Sequence, residues 1–322
     1  MKKHFAMSVL LSVLVVLIAL SASAQPFPSR PIKVLATHGP GSTVDLCIRM
    51  LAPYFQKHAG VSVVVENMAG AAGRVMRSNL YKEQPDGYTL GITGMPSIQL
   101  GELLYKPGYK TMDFTFIYNF VGGDYGTIIV AKDSPYKNFK DLVQASQSKP
   151  VIIAVAGLGA TDHMVCVMLR DKAKVNSKIV PFSGGDLMMA VLGKQVDAAV
   201  ESIASITERT DVRPLIVFAP ARVPQFSDAP TAKELGYGEL EAIYRNGIIG
   251  PPKMAPDRVT ILEAALKKAV ADPGFVAEAK KGGLGLEPLD SKEFRVAAER
   301  LYNFAKEIAP IMEKDIAAGQ KK

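Results

Sequence analysis

The sequence predicts an α/β protein of two units, each a mainly parallel sheet covered by helices. Short apolar, β-branched runs alternate with helical patterns along nearly the whole chain, and this alternation is typical of parallel sheets. The alternation starts afresh after Gly122 and Gly123, so we expect two units. With 322 residues, 48% apolar and 21% charged, the chain has the length of about two domains and the composition of a folded protein.

The elements follow from the period of the apolar residues. In the first unit, strands are predicted at 31–36, 61–65 and 88–93, and helices at 43–57 and 74–83. In the second unit, strands are predicted at 127–131, 151–155, 179–181, 196–200 and 215–219, with helices at 139–146, 162–172 and 187–192. A tail helix has Leu262, Ala265, Leu266, Ala269 and Val270 on one face. Asp290 or Ser291 is a candidate N-cap for a last helix.

The charge balance argues against one class of function. Lys and Arg number 38 against 31 Asp and Glu, for a net charge of +7. No run of five like charges occurs, so the excess is not concentrated in a patch that would bind nucleic acid. We therefore expect no nucleic-acid partner.

The N-terminus has the three parts of a secretory signal peptide. Lys2 and Lys3 precede an uncharged apolar stretch at 5–20, and Ala-Ser-Ala at 22–24 forms a cleavage site. The alternative is an uncleaved membrane anchor, but the apolar stretch is shorter than the roughly 20 residues that a spanning helix needs. We therefore predict that residues 1–24 are removed before Gln25 and that the mature protein is periplasmic.

The chain has two cysteines, Cys47 and Cys166. Export permits a disulfide between them. However, they lie in two separate helical patterns, and cysteine is among the most buried residue types. We expect two buried free thiols, with a disulfide as the alternative.

Two glycine-containing loops are candidate ligand sites, and each runs from a strand into a helix. The first, at 38–45, reads His-Gly-Pro-Gly-Ser-Thr-Val-Asp, and the second, at 157–163, reads Gly-Leu-Gly-Ala-Thr-Asp-His. Glycine lets a ligand approach the backbone closely, and unpaired N–H groups at a helix N-terminus favour an anion. Neither loop contains Lys or Arg, so backbone and hydroxyl groups would hold the anion. Ordinary structural turns are the alternative.

Signatures of catalysis and of metal binding are weak. The second loop lacks the third glycine of a dinucleotide fingerprint, and the chain has no Gly-x-Ser-x-Gly elbow. His38 and His163 lack the spacing of a zinc motif, and His58 fits a residue at a helix C-terminus. Asp45 and Asp197 are a conceivable acid–base pair, although Asp45 also fits a helix cap. We therefore expect no enzyme, no metal and no cofactor.

Seven motifs follow one another along the chain. They are Gly-Pro-Gly-Ser-Thr-Val-Asp at 39–45 with Arg49, Val-Glu-Asn-Met-Ala-Gly-Ala-Ala-Gly at 65–73, Pro-Asp-Gly-Tyr-Thr-Leu at 85–90, Gly-Leu-Gly at 157–159 with His163, Val-Pro-Phe-Ser-Gly-Gly at 180–185, Gly-Lys-Gln-Val-Asp at 193–197 and Ala-Pro-Thr-Ala-Lys-Glu-Leu-Gly at 229–236. In this order they resemble the motifs of the periplasmic substrate-binding proteins of tripartite tricarboxylate transporters, the Bug receptors. The resemblance runs from about residue 31 to residue 311.

The resemblance implies a type II periplasmic-binding-protein fold, in which two α/β lobes joined by two hinge strands close on a ligand. It implies a first lobe of residues 25–124 plus 247–322 and an inserted second lobe of residues 125–246. The implied ligand is a small carboxylate, held between two facing loops by main-chain N–H groups, hydroxyls and waters. The implied partners are the membrane subunits of such a transporter, with a sensor protein as the alternative, and we expect a monomer.

The residues that we predict to contact the ligand lie on the two loops and on the segments that face them. They are His38, Gly39, Pro40, Gly41, Ser42, Thr43, Asp45, Ser97, Gly157, Gly159, Ala160, Thr161, His163, Phe182, Ser183, Gly184, Asp197 and Glu201. His38 stands where the family usually has an apolar residue. If the ring faces the ligand, it changes charge near its unperturbed pKa of about 6.5. The charged form would favour a bound carboxylate, so binding would weaken as pH rises and the ring loses its proton. A neutral ring that fills space is the alternative.

Overall fold

The structure, a computed structural model, describes residues 26–182, 186–238 and 242–320. The strands are β1 (Ile32–Ala36), β2 (Val63–Asn67), β3 (Thr89–Met95), β4 (Thr115–Ala131), β5 (Val151–Val155), β6 (Ser177–Pro181), β7 (Ala198–Ser202), β8 (Val212–Val217), β9 (Ile243–Gly250) and β10 (Leu286–Leu289). The helices are α1 (Thr43–Ala59), α2 (Arg74–Leu80), α3 (Ser97–Tyr105), α4 (Phe139–Ser148), α5 (Thr161–Lys172), α6 (Asp186–Leu192), α7 (Ile203–Ile206), α8 (Pro256–Val270), α9 (Pro273–Lys281) and α10 (Ser291–Gln320). The predicted signal peptide lies outside the described residues.

The strands form two parallel groups within one hydrogen-bonded path. The order is β2-β1-β3-β9-β4-β7-β5-β6, and β8 and β10 also pair with β4. β1 is parallel to β2 and β3, and β5 is parallel to β6 and β7. β9 runs antiparallel to β3 and β4. The predicted α/β class is confirmed, and the two parallel groups belong to one sheet because antiparallel strands join them, which the sequence analysis did not predict.

The long strand β4 joins the two groups. Its residues 115–125 pair with β9, and its residues 126–131 pair with β7 and β8. The change of partner coincides with the lobe boundary that the sequence places at residue 125, while the division into lobes remains a prediction. The strand stays extended through Gly122, where a Cβ would overlap the carboxylate of Glu287.

Each parallel group has its own apolar core. In the first, α1 and α8 contribute their predicted apolar faces, with Ile48, Phe55 and Leu266 fully buried. In the second, α4 and α5 cover the sheet. Cys47 belongs to the first core and Cys166 to the second, and both are buried and unpaired. The expectation of two free thiols therefore agrees with the structure.

The C-terminal helix α10 contacts both groups. Near its start, Phe294 is fully buried with its ring 5.2 Å from that of Phe116 in β4. Further along, Met312 packs in one cluster with Leu100 of α3 and Met164 of α5. The helix therefore touches the second group as well as the first.

Local capping sets several helix boundaries. Ser42 accepts the N–H of Asp45 at the start of α1, and Gly60 ends that helix in the left-handed conformation that glycine tolerates. At α10 the predicted cap Asp290 accepts the N–H groups of Lys292 and Glu293. Among the described residues, no helix combines the length and the apolar composition that crossing a bilayer requires.

Candidate functional site

A cavity of about 340 Å³ lies between the two parallel groups, where the carboxyl ends of β1, β5 and β7 meet the starts of α1, α3 and α5. Ligands of α/β sheets bind at such strand ends. The wall of the cavity is formed by His38, Gly41, Ser42, Thr43, Val44, Leu46, Arg77, Gly94, Ser97, Ala156, Ala160, Thr161, Asp162, Leu187, Met188, Met189, Val200, Glu201, Ser202, Ser205, Arg209, Tyr244 and Asn246. A more open hollow of about 460 Å³ beside Gly123 and Lys280 contains none of the predicted site residues.

The structure brings part of the predicted set together on this wall. The residues that line the cavity are His38, Gly41, Ser42, Thr43, Ser97, Ala160, Thr161 and Glu201. Those that do not are Gly39, Pro40, Asp45, Gly157, Gly159, His163, Phe182 and Asp197. Ser183 and Gly184 lie outside the described residues.

In the first loop, Asp45 organises the backbone and does not face the cavity. One carboxylate oxygen accepts the N–H of Gly41 at 3.0 Å, and the other accepts the side chains of Arg49 at 2.8 Å and Asn67 at 2.7 Å. Burial opposes ionisation of Asp45, but the hydrogen bonds from Asn67, Gly41 and Arg49 together lower its pKa below the usual value. The carboxylate therefore holds the loop in place for Ser42 and the residues around it.

In the second loop, His163 has the corresponding role. Its Nδ1 accepts the N–H of Gly159 at 3.1 Å. The ring is fully buried, and burial, followed by the charge of Arg170, lowers its pKa to about 4, so it is neutral at neutral pH. The N–H of Gly159 is thus engaged inside the protein, and the contact of this glycine with the ligand stays a prediction.

The second loop also packs directly on the first group. A Cβ at Gly157 would lie 2.7 Å from the Cβ of Ala72, and one at Gly159 would lie 2.5 Å from Cε2 of Tyr105. Nη1 of Arg74 approaches the carbonyl oxygen of Leu158 at 3.4 Å. These glycines therefore allow the two groups to approach each other closely.

Arg77 is a basic residue of the site that the sequence analysis missed. Its side chain is fully buried at the cavity wall. Nε donates to Thr93, Nη1 approaches the carbonyl oxygens of Ala72 and Ser97, and Nη2 is buried without a hydrogen-bond partner. Burial lowers the pKa of this guanidinium from its usual value, and no carboxylate pairs with it among the described ion pairs. Within the described residues, the guanidinium of Arg77 therefore has no ion-pair partner in direct contact.

The position of Arg77 in the sequence already indicates that this residue has an unusual role. It lies on the helical face that also carries Met76 and Leu80, both fully buried. A charged residue on the apolar face of an amphipathic helix is rarely buried without a partner, so its presence there indicates a charged ligand or an ion pair.

His38 lines the cavity as a neutral ring. Its Nδ1 lies 3.0 Å from the hydroxyl of Thr37, and its Nε2 is buried without a partner. Burial, followed by the positive charge of Arg77, lowers its pKa to about 4. The hypothesis that the free ring changes charge within the periplasmic pH range is therefore wrong, because Arg77 and desolvation both disfavour the imidazolium.

Two acidic side chains, Asp162 and Glu201, also line the cavity. The Asp162 carboxylate accepts the N–H of Ala156 at 2.7 Å and the hydroxyl of Tyr244 at 2.9 Å. Oε2 of Glu201 accepts the hydroxyl of Ser205 at 2.7 Å. Burial raises the pKa of Glu201 to about 7, although the bond from Ser205 opposes this. The cavity therefore carries both basic and acidic side chains.

Two predicted residues lie away from the cavity for identifiable reasons. Asp197 precedes β7, at the opposite end of the strand from the cavity, and its carboxylate accepts the hydroxyl of Tyr136 and the N–H of Ile152. It is therefore not available to pair with Asp45. Phe182 packs against the apolar cluster around Leu187.

The described residues contain no group of three or more His, Cys, Asp or Glu side chains arranged to hold a metal ion. The arrangement of one buried guanidinium, several hydroxyls and two acids around a closed space is suited to binding a small charged molecule.

Comparison with known proteins gives a consistent answer. The sequence profile of the tripartite tricarboxylate transporter family receptors matches residues 47–310. A relative from Cupriavidus necator, named "UPF0065 protein in gbd 5'region", is 30% identical over 259 residues, which cover 79% of each chain.

Solved structures agree in fold. The periplasmic binding protein BugD has a TM-score of 0.82 and 28% identity, covering 89% of this chain and 98% of its own. MatC from Rhodopseudomonas palustris with bound malate has a TM-score of 0.80 and 24% identity, covering 89% and 99%, and this second likeness is one of fold alone. The predicted periplasmic-binding-protein fold is confirmed, and the chain belongs to the tripartite tricarboxylate transporter receptor family.

Proposed function

We propose that this protein is a periplasmic receptor that captures a small carboxylate between its two lobes. The observation that carries the proposal is the buried guanidinium of Arg77 at the cavity wall, whose Nη2 has no hydrogen-bond partner among the described residues. Leaving a buried charge uncompensated is unfavourable by several kcal/mol. A ligand carboxylate that accepts from Nη2 removes this penalty, because hydrogen bonds between a guanidinium and a carboxylate are strong.

Further polar groups near Arg77 fit the same ligand. We propose that His38, Ser42, Thr43, Ser97 and Thr161, which line the cavity, contact the bound molecule. The N-terminus of α1 faces the same space, and its dipole favours a negative charge there. The lobes that close would be residues 25–124 with 247–322 and residues 125–246.

The relatives support this proposal. BugD carries the name of a periplasmic binding protein, and the MatC structure contains malate, a small carboxylate. We propose that the loaded receptor delivers its ligand to the membrane subunits of a tripartite tricarboxylate transporter, and that it acts as a monomer without a cofactor or catalytic step. Cells that lack the receptor should then lose uptake of the ligand, whereas loss of a transcriptional response alone would favour the sensor alternative.

A thermal-shift screen of mono-, di- and tricarboxylates tests the binding proposal. A ligand that binds only the native state at about 100 times its dissociation constant adds about 2.7 kcal/mol to the free energy of unfolding, which raises the melting temperature by several degrees. Mass spectrometry should find the ligand unchanged after release. If no acid raises the melting temperature while neutral or purely cationic compounds do, the proposal is wrong.

A further inference from the structure

We propose that the ligand is a zwitterion, one carboxylate and one protonated amine on a small apolar body, and that Glu201 selects it by accepting the amine. This inference rests on the proposed function, because it takes the Arg77 side of the cavity as the carboxylate site. It concerns the acidic side chains that line the same cavity, which the carboxylate proposal leaves unexplained.

The charges around the cavity argue against a ligand with two or three carboxylates. The charged side chains among the lining residues are Arg77, Arg209, Asp162 and Glu201. Arg209 is already paired, since Nε and Nη2 donate to the two oxygens of Asp211 at 3.0 and 2.6 Å. One unpaired cation and two acids remain. A second ligand carboxylate would therefore lie against acids, whereas an amine would compensate one of them.

Of the two acids, Glu201 has the uncommitted oxygen. Both Asp162 oxygens are engaged, by Ala156 and by Tyr244. Both hydrogen bonds of Glu201, from the N–H of Ser202 at 3.3 Å and the hydroxyl of Ser205 at 2.7 Å, reach the same atom, Oε2. Within the described residues Oε1 has no hydrogen bond, and it does not belong to the fully enclosed unpaired atoms. It is therefore partly exposed, on a residue that lines the cavity, and able to accept from an ammonium group.

The surroundings of Glu201 favour a cationic partner. Burial and then the negative charges of Asp162 of α5 and Asp124 of β4 raise the pKa of Glu201. Burial and the same acids raise the pKa of the Tyr244 hydroxyl of β9. Despite the hydrogen bond from Ser205, the pKa of Glu201 reaches about 7. An ammonium group beside Oε1 reverses this balance, because it stabilises the carboxylate form.

The remaining wall determines the body of the ligand. Leu46 and Met189 are 51% and 66% exposed although they are large apolar side chains, and both line the cavity. Val44, Leu187 and Met188 continue this apolar surface. Covering this apolar surface favours a complex, so we expect an aliphatic or aromatic body between the two charged ends.

Matched pairs of compounds, with and without the amine, test the inference by calorimetric titration. The pairs are L-leucine with 4-methylpentanoate, L-phenylalanine with 3-phenylpropanoate, and 4-aminobutanoate with butanoate, and succinate serves as the dicarboxylate. In at least one pair we expect the amino compound to bind at least tenfold more tightly than its partner and than succinate. In Glu201→Gln this preference should fall to within about twofold. Glu201→Asp, which keeps the charge, should retain part of it.

Glu208→Gln is the matched control. Glu208 follows Glu201 in the sequence, is exposed, and does not line the cavity. The preference of this variant should equal that of the native protein. If the compounds without an amine bind as tightly in every pair, or if the preference survives in a folded Glu201→Gln, the inference is overturned while the carboxylate proposal stands. If no compound with a carboxylate binds at all, both proposals fall.

Discussion

The hydroxyl of Ser97, at the start of α3, lies 3.0 Å from the hydroxyl of Thr161, at the start of α5, and accepts the Thr161 N–H at 3.2 Å. The N-cap residue of α5 is Ala160, which has no side-chain oxygen to accept that group. A side chain from the first parallel group therefore caps a helix of the second. This hydrogen bond requires the two groups to be close, so the proposed closure of the cavity would be coupled to helix capping.

Replacing Ser97 with Ala should weaken ligand binding by about five- to 150-fold. The variant loses a cap and a hydrogen bond that exist only in the closed form, and each is worth about 0.5–1.5 kcal/mol. Calorimetry measures the affinity, and small-angle scattering measures closure. Ser78→Ala is the control, since the Ser78 hydroxyl donates to the carbonyl of Pro107 away from the cavity. Equal affinities for native protein and Ser97→Ala would show that the contact does not support closure.

A side chain at Gly159 should leave the protein folded but should prevent the two parallel groups from approaching each other closely. Gly159 has a φ of +84°, and its Cβ would lie 2.5 Å from Cε2 of Tyr105 across the gap between the groups. We expect Gly159→Ala to retain its circular dichroism spectrum and to lose at least tenfold in affinity. At Gly39, by contrast, a Cβ meets nothing within 4 Å, so Gly39→Ala should bind normally. Normal binding by Gly159→Ala would show that the close contact between Gly159 and Tyr105 is not needed for binding.

The two parallel groups were predictable because their strands and helices carry regular apolar periods. The elements that join them were not. The stretch Gly-Gly-Asp at 122–124 and the stretch Arg-Asn-Gly at 245–247 are typical of turns, yet both lie inside strands, β4 and β9. Tertiary packing overrides local preference there, because Gly247 closely approaches the ring of Phe294 and Gly122 the side chain of Glu287.

For the site, glycine and hydroxyl patterns located the two loops but not the charges between them. Arg77 and Tyr244 come from segments far apart in the chain, and only the fold brings them to one cavity. Asp197 was predicted as a site residue, but it comes directly before β7. The cavity lies at the other end of that strand. Sequence spacing alone does not show at which end of a strand a residue lies until the strand limits are known.

Asp124 should make the protein less stable as pH rises. Burial raises its pKa to about 7, against the N–H of Ala204, whereas in the unfolded chain an Asp has a pKa of about 3.9. Between these values the folded state binds the extra proton, so this contribution to the free energy of unfolding falls as pH rises and levels off above about 7. The pKa values of His38 and His163, lowered to about 4, act in the opposite direction.

The comparison is therefore made between Asp124→Asn and the native protein at each pH. Between pH 5 and pH 8, urea unfolding should show the variant gaining stability relative to the native protein, by up to about 1.4 kcal/mol for each pH unit from pH 5 to the folded pKa of about 7. A difference that is the same at both pH values would show that Asp124 is ionised in the folded protein throughout.

Both thiols should be unreactive in the native protein. Burial raises the pKa values of Cys47 and Cys166 well above the usual range, and the two lie in separate cores. Alkylation at pH 8 without reductant should add no label to the folded protein and two labels after unfolding in guanidinium chloride, as read by intact mass. An unfolded sample without labels would instead reveal a disulfide.

The most direct test of a carboxylate site at Arg77 is calorimetric titration of Arg77→Met and Arg77→Lys with the acid that best stabilises the native protein. A hydrogen bond to a charged group is worth about 1.5–3 kcal/mol, so Arg77→Met should lose at least tenfold in affinity and Arg77→Lys less. Arg295→Met, on the exposed surface of α10, should bind as the native protein does, and circular dichroism should show all three variants folded. A folded Arg77→Met with native affinity would contradict the account.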